Sequence, residues 1–186
     1  MILTTGGASR RRAVVTRRVL LSCIVLTLSW SCGATREKRQ ANAQAADSDA
    51  ASGEIKRLIA KYAAAVDMAD TNLASEVWSN SPDVSFIHPR GHEHGWEEVK
   101  NFYENTMRAL FSERKLSTRD VTVHVYGDSA WAEFYWHFVA KLRSDGSTLE
   151  TKGRETQIYR KADQNRWVLV HVHYSGMPVT EPARGF

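Results

Sequence analysis

The spacing of hydrophobic positions changes from a helical to a strand-like period along this chain. In residues 54–68 and 95–111, apolar side chains recur every three or four positions, which predicts helices with one buried face. A shorter helix is predicted over 71–78, with Asp70 as its N-cap. The two longer buried stripes are formed by Ile55, Leu58, Ile59, Tyr62, Val66, Trp96, Val99, Tyr103, Met107 and Leu110.

A period of two marks the strands. Residues 83–88 form a short strand, and four longer strands cover 119–126, 129–142, 148–161 and 166–175, with short turns between them. Consecutive strands joined by short turns pair as an antiparallel meander. Strands of about a dozen residues twist and curl, because a flat sheet of that length is unusual.

The order of elements predicts an α+β fold. Three N-terminal helices would lie against a cone-shaped, strongly curved, mixed or antiparallel sheet, as in a cystatin-like α+β roll. Helices cover the concave face of such a sheet only in part. The open space at the wide end of the cone is therefore the expected ligand pocket.

Charge separates the first 40 residues from the rest. They hold eight Lys/Arg and one Glu, a net charge of +7, whereas the whole chain carries +4, so residues 41–186 carry −3. The basic character thus belongs to the leader, and we expect no nucleic-acid partner for the folded part.

The leader resembles an export signal. Basic residues precede the 12-residue apolar run 19–30, which is too short for a membrane span of roughly 20 residues but fits the core of a signal peptide. Arg17-Arg18 resembles a twin-arginine motif, and residues 28–32 resemble a lipoprotein box with Cys32 as the lipidated residue. We expect a signal peptide over 1–34, a flexible linker over 35–52 and a folded domain over 53–182. The protein would be exported to the periplasm or cell envelope. Lipidation of Cys32 would give its only contact with the membrane, and cleavage after Ala34 is the alternative to lipidation. The alternative to export is a single uncleaved membrane anchor.

Several motifs resemble one known family. Residues 153–159 (GRETQIY), the closing run from Trp167 through His171, His173, Ser175, Gly176 and Pro178, and the segment 102–105 (FYEN) are similar to the nuclear transport factor 2-like, or SnoaL-like, superfamily. The similarity is greatest to the association domain of calcium/calmodulin-dependent protein kinase II. It implies the cone fold, a homodimer or larger ring, and a concave pocket. It does not settle function, because members include isomerases, dehydratases and oligomeric hubs.

The resemblance also implies which side chains face the pocket. It places His137 and Gln157 inward, and strand alternation then adds Tyr135, Glu133 and Glu155. Tyr174 matches a pocket arginine of the kinase domain, so the pocket is less cationic here. The remaining candidate ligand-binding residues are His88, Trp96, Tyr103, Met107, His171 and His173.

Glu155 is the best acid–base candidate, with His137 as its catalytic partner. Burial of an inward carboxyl would raise its pKa toward neutrality. The alternative is that Glu155 is a paired structural residue that stabilises the sheet.

His171 and His173 lie on one side of the last strand. His-x-His can bind a metal ion when a third ligand is supplied, and the polar loop 88–96 holds His88, His92 and His94. Hydrogen-bonded structural histidines at the base of the cone are the preferred interpretation, so we expect no metal site and no cofactor.

The sequence lacks a phosphate-binding glycine loop, a nucleophile elbow and a dinucleotide fingerprint, which argues against nucleotide or acyl-transfer chemistry. The function it favours is exported binding of a small, mostly apolar molecule. The alternatives are a cofactor-free isomerase or lyase and an oligomeric assembly domain.

Overall fold

A computed structural model describes residues 15–177 of the chain, with side chains from residue 36 onward. The chain divides into two units at residues 47 and 48. The described part of the first unit is helical and belongs to α1 (Val15–Met68). Within the described residues, no helix combines the length and apolar character that crossing a membrane requires.

The segment predicted as a linker is helical, because residues 35–52 lie within α1. Its many alanines, together with Gln, Glu, Lys and Arg, are good helix formers, and they outweigh the low hydrophobicity that suggested irregular structure. The predicted domain bounds remain a prediction. The signal peptide and Cys32 lie outside the residues whose side chains are described.

The second unit begins with the end of α1 and a short helix. The predicted stripe of α1 is buried, with Ile55, Ile59, Tyr62 and Val66 at most 4% exposed. Helix α2 spans Thr71–Ser75, and the Asp70 carboxylate accepts from the backbone N–H groups of Asn72 and Leu73, as predicted for its N-cap.

A hairpin follows, where the sequence predicted only one strand. Strand β1 (Ser85–His88) pairs antiparallel with β2 (Gly91–His94), so most of the supposed polar loop is a strand. The next helical run starts as α3 (Gly95–Asn101), continues as a π-helical segment (Phe102–Met107) and ends as α4 (Arg108–Leu110). π-Helical turns are rare and often occur at functional sites.

Four long strands complete the unit. They are β3 (Phe111–Tyr126), β4 (Ser129–Leu142), β5 (Thr148–Lys161) and β6 (Trp167–Gly176), with a short 3₁₀ turn (Asp163–Asn165) before the last. Strand β3 starts eight residues earlier than predicted, whereas the bounds of β4 and β5 match the prediction.

The six strands form one mixed sheet in the order β2-β1-β6-β5-β4-β3. All neighbours are antiparallel except β1 and β6, which are parallel. Irregular pairing between Arg119 and Thr122 on β3, and at Val170 on β6, which is skipped between the pairs Ile158–His171 and Tyr159–Leu169, bends the strands, as β-bulges do. The predicted α+β class with a curved mixed sheet is confirmed.

One close approach between neighbouring strands requires glycine. A Cβ at Gly153 would lie 2.0 Å from the Ser175 carbonyl oxygen and 2.9 Å from the Trp136 ring. Only a residue without a side chain allows β5 to approach β6 and Trp136 this closely. This contact lies beside the inner face, where the helices and the sheet enclose the core.

Candidate functional site

A cavity of about 140 Å³ lies between the inner face of the sheet and the helical segments. Its size is close to that of a roughly 150 Å³ apolar cavity known to hold benzene. It is lined by Val66, Phe86, His88, Pro89, Arg90, Phe102, Tyr103, Met107, Phe111, Leu116, Trp136, Phe138, Leu149, Thr151 and Tyr174. Most of these side chains are apolar or aromatic, as in typical small-molecule sites.

The π-helical segment supplies three of the lining residues, Phe102, Tyr103 and Met107. On the sheet side, the Trp136 ring stacks on Tyr174 with centroids 5.2 Å apart. The Trp136 indole N–H donates to the Arg154 carbonyl at 3.1 Å, which fixes the ring against β5. Stacking and this hydrogen bond therefore fix the aromatic rings that form the sheet side of the cavity wall.

His88 is the one histidine among the lining residues. Its Nε2 lies 3.2 Å from a Glu93 carboxylate oxygen, and its Nδ1 accepts from the Arg90 backbone N–H at 3.2 Å. Burial lowers the pKa of His88 despite the opposing effect of Glu93. The imidazole is thus neutral at pH 7, with an Nε2–H that donates to Glu93 and with both ring nitrogens engaged.

A row of polar side chains on β5 lies deeper, behind the cavity wall. Glu155, Gln157 and Tyr159 alternate along the inner face and are at most 1% exposed. The Gln157 amide donates to Glu155 Oε1 at 2.6 Å, and the Tyr159 hydroxyl donates to Gln157 Oε1. Burial raises the pKa of Glu155 well above its ordinary value, so we expect a neutral carboxylic acid at pH 7.

Tyrosine hydroxyls connect this row to the cavity. Glu155 and Tyr174 are partners across β5 and β6, and the Tyr174 and Tyr62 hydroxyls are 2.5 Å apart. Burial, and then the nearby Glu155 carboxyl, raise the pKa of both tyrosines. We call Trp78, Tyr62, Tyr103, Tyr174 and Glu155 the buried polar cluster; Tyr103 and Tyr174 also line the cavity.

Three atoms of this cluster are buried without a hydrogen bond of ordinary geometry in the described part of the chain. They are Trp78 Nε1, the Tyr103 hydroxyl and Glu155 Oε2. Each has a polar neighbour within the cluster, Trp78 with the Tyr103 hydroxyl and Glu155 with the Tyr62 and Tyr174 hydroxyls, so small side-chain shifts would pair them.

The sequence-predicted residues divide between the two faces of the sheet. His88, Tyr103, Met107 and Tyr174 line the cavity. Glu155 and Gln157 point inward but lie behind its wall, and Trp96 is buried at the start of α3 without lining it.

The inward placement of Glu133, Tyr135 and His137 is wrong. Register pairs Phe134 with Glu155 and Ala132 with Gln157, so the even-numbered residues of β4 share the inner face with Glu155. His137 instead contacts the exposed Glu150 at 2.8 Å on the outer face. Both sets of β4 residues are largely apolar, so alternation alone did not distinguish the faces, and the resemblance chose the wrong one.

His171 and His173 also lie on the outer face, opposite Ile158 and Thr156 of β5. Their rings are 6.4 Å apart, and burial together with His173 and His92 lowers the pKa of His171. Over residues 36–177 the structure places no group of three or more His, Cys, Asp or Glu side chains in a geometry that could hold a metal ion.

Sequence reasoning missed Phe86, Arg90 and Trp136 as cavity residues. Phe86 stands two positions before His88 on the same strand, so alternation could have added it. Trp136 was missed through the error in the β4 face. Arg90 lies in the turn between β1 and β2, and no periodic pattern marks it.

Comparison with known proteins supports this architecture. The SnoaL-like domain family profile matches residues 55–180. A nuclear transport factor 2-like superfamily protein from Salmonella enterica serovar Typhimurium LT2 is 44% identical, with a TM-score of 0.72 over 74% of this chain and 99% of that one. No curated protein matches significantly.

More distant structures share the fold. The hexachlorocyclohexane dehydrochlorinase LinA-type3 from Novosphingobium barchaimii is 14% identical, with a TM-score of 0.61 over 68% of this chain and 86% of that chain. A protein named "Putative calcium/calmodulin dependent protein kinase II association domain" from Xanthomonas campestris is 21% identical, with a TM-score of 0.56 over 67% of this chain and 86% of that chain. The chain belongs to the SnoaL-like family of the nuclear transport factor 2-like superfamily.

Proposed function

We propose that the second unit binds one small, largely apolar molecule in its cavity. The observation that carries this proposal is a cavity of about 140 Å³ walled by aromatic and aliphatic side chains, with few polar groups. That volume fits a single ring or a short branched chain, because a similar cavity holds benzene.

Binding without turnover is supported by the positions of the acid–base candidates. Glu155 does not line the cavity, and His137 lies on the other face of the sheet. His88 does line it, but both of its ring nitrogens are already engaged. Among the described residues that line the cavity, none thus offers a free basic group to a bound molecule.

A cofactor-free isomerase or lyase is the second candidate. It is supported by the neutral, buried Glu155 beside Tyr174 and by the dehydrochlorinase names of some relatives. General acid–base catalysis typically accelerates a reaction by about 100-fold or more, so Glu155→Gln would lower the turnover rate by about that factor. A binding protein would lose only a modest part of its affinity in the same variant.

The test is native mass spectrometry of the protein purified from its own host, which would show a retained small molecule as added mass. Met107→Trp fills the cavity and should abolish that added mass. Met68→Trp is the matched control, because Met68 is 55% exposed and does not line the cavity. Equal retention of added mass by both variants would refute binding in this cavity, and thermal unfolding of each variant checks that it folds.

We also propose export and self-association. Export is supported by the leader pattern alone. A homodimer or larger ring is supported by the partly exposed apolar side chains on the outer sheet face, including Trp131, Tyr135 and Ile158. Light scattering during size-exclusion chromatography would measure the mass. A wild-type mass of one chain would refute self-association, and an Ile158→Lys variant that keeps the oligomeric mass of wild type would count against this interface.

A further inference from the structure

Exposure divides the residues that line the cavity into a wall and a mouth. Most of the lining residues are buried or half-buried, whereas Pro89, Arg90 and Thr151 are exposed. Pro89 and Arg90 form the turn between β1 and β2. Thr151 lies on β5 four residues before the buried Glu155, so it shares the inner face of the strand. The cavity therefore reaches solvent between this turn and the first residues of β5.

Arg90 is the one charged side chain among the lining residues. Its neighbour His88 is neutral at pH 7, and the others carry apolar, aromatic or hydroxyl side chains. A guanidinium stays protonated at pH 7, so it cannot act as a base, but it offers five N–H donors to an acceptor. The mouth of the cavity thus carries a single positive charge next to an apolar interior.

The backbone that carries Arg90 is anchored to the cavity wall. The Arg90 backbone N–H donates to His88 Nδ1 at 3.2 Å, and the His88 ring packs against Phe86 and Phe102 with centroids 4.8 and 4.3 Å away. Burial chiefly, and to a smaller degree the positive charge of Arg90, lower the pKa of His88. The guanidinium therefore lies close enough to this wall residue to act on its charge.

No acidic side chain neutralises Arg90 in the described part of the chain. Every ion pair found over residues 36–177 involves another cation. Glu93 is engaged with His88 Nε2 at 3.2 Å and does not line the cavity. Arg119, by contrast, is paired with Asp120. The charge of Arg90 is thus available to a molecule that enters the mouth.

An anionic group fits this mouth better than a cationic one. An ammonium group would meet the like charge of Arg90, and no acidic side chain lines the cavity to attract it. A carboxylate can accept two parallel hydrogen bonds from a guanidinium, a geometry that arginine provides and lysine does not. Because Arg90 is exposed, such a group would keep part of its hydration, which avoids most of the desolvation cost of a buried ion pair.

We propose that Arg90 anchors an anionic group of the ligand at the mouth, while the ring or branched chain of the ligand fills the cavity. The ligand is then a compact amphipathic anion, such as the ionised form of a cyclic or branched carboxylic acid. This inference rests on the proposed binding function, and it specifies the class of molecule and its orientation.

The test uses two probes of nearly the same shape. Cyclohexanecarboxylate and cyclohexanecarboxamide share the ring, but only the carboxylate is charged at pH 7. Affinities for the full chain are measured by NMR titration at low salt with wild type, Arg90→Gln and the control Arg160→Gln. Arg160 is exposed on β5 and does not line the cavity, so the control removes the same charge from another place.

Wild type should bind the carboxylate more tightly than the amide. Arg90→Gln should weaken carboxylate binding about 3- to 10-fold, between the effects of an exposed ion pair and of a hydrogen bond to a charged group. The same variant should change amide affinity less than twofold, and Arg160→Gln should change both affinities less than twofold. High salt should reduce the carboxylate preference of wild type, because salt screens an exposed ion pair.

The other outcomes separate the two proposals. If neither probe binds wild type, binding in this cavity is refuted and the anchor with it. If both probes bind but wild type does not prefer the carboxylate, or if Arg90→Gln weakens both probes equally, the anchor is refuted while binding stands. A loss of carboxylate affinity as large in Arg160→Gln as in Arg90→Gln would show an effect of overall charge and would also overturn the anchor. Thermal unfolding checks that both variants fold.

Discussion

Replacing Glu155 by glutamine tests the central feature of the buried polar cluster. Glu155 is 1% exposed, and burial holds its pKa well above the ordinary range. The unfolded chain ionises near the ordinary glutamate pKa of about 4.3. The folded state therefore keeps a proton that the unfolded state releases as pH rises.

The sign of the effect follows from this difference. Because the unfolded state binds fewer protons above its own pKa, the free energy of unfolding falls as pH rises, until the pH passes the folded pKa. The slope is about 1.4 kcal/mol per pH unit between the two pKa values. Below the unfolded pKa, this contribution is absent, because both states hold the proton.

Glutamine has almost the same shape as the neutral acid and does not titrate. The stability of Glu155→Gln relative to wild type should thus rise by about 1.4 kcal/mol per pH unit from roughly pH 4.5 upward. Urea unfolding of the full chain from pH 4 to 8 measures this difference. Other titrating groups, such as His88, whose pKa is lowered by burial, are common to both proteins and cancel.

The exposed Glu133 on the outer face of β4 supplies the control. Glu133→Gln should follow wild type within about 0.5 kcal/mol at every pH. A difference between Glu155→Gln and wild type that stays constant with pH would show that Glu155 is ionised in the folded protein, and the reasoning would be refuted.

Three further results are expected. Gly153→Ala should destabilise the protein by about 3 kcal/mol or more in urea unfolding, because the added methyl group has no room. Gly176 lies opposite on β6 and a Cβ there would have nothing within 4 Å, so Gly176→Ala should cost less than about 1 kcal/mol. Equal costs would contradict the argument that β5 and β6 approach closely at Gly153. Asp70→Ala should cost about 1 kcal/mol and Asp70→Asn much less, as measured by the thermal midpoint, if the carboxylate acts as the α2 cap. His137→Ala should leave affinity for any cavity ligand within twofold in the NMR titration, since His137 lies on the outer face, and a larger loss would mean that the assigned faces are wrong.

Much of the secondary structure was predictable from residue patterns. The bounds of β4 and β5 follow from alternation ended by turn residues, and the buried stripe of α1 follows from helical spacing. Strand β2 was missed because Gly91–His94 has almost no apolar residue, so its pairing with β1 left no hydrophobic signal. The extension of α1 was missed because its linker-like composition is also a helix-forming one.

The site was predictable only in part. His88, Tyr103, Met107 and Tyr174 line the cavity, as expected of pocket residues. Tyr135 and His137 do not, because the face of a strand with two apolar sides depends on its register with β5. A shift of one residue in the register moves every side chain of the strand to the other face of the sheet.

The sequence by itself determined the local structure: the periods, caps and turns that define each helix and strand are properties of neighbouring residues. Only the tertiary structure decided which face of the sheet is enclosed and which polar atoms are buried without partners. Tyr62, Trp78, Tyr103, Glu155 and Tyr174 are far apart in the chain and come together only through long-range pairing and helix packing. Burial, the main physical cause of the raised pKa values of Glu155 and the three tyrosines, exists only once that packing has excluded water.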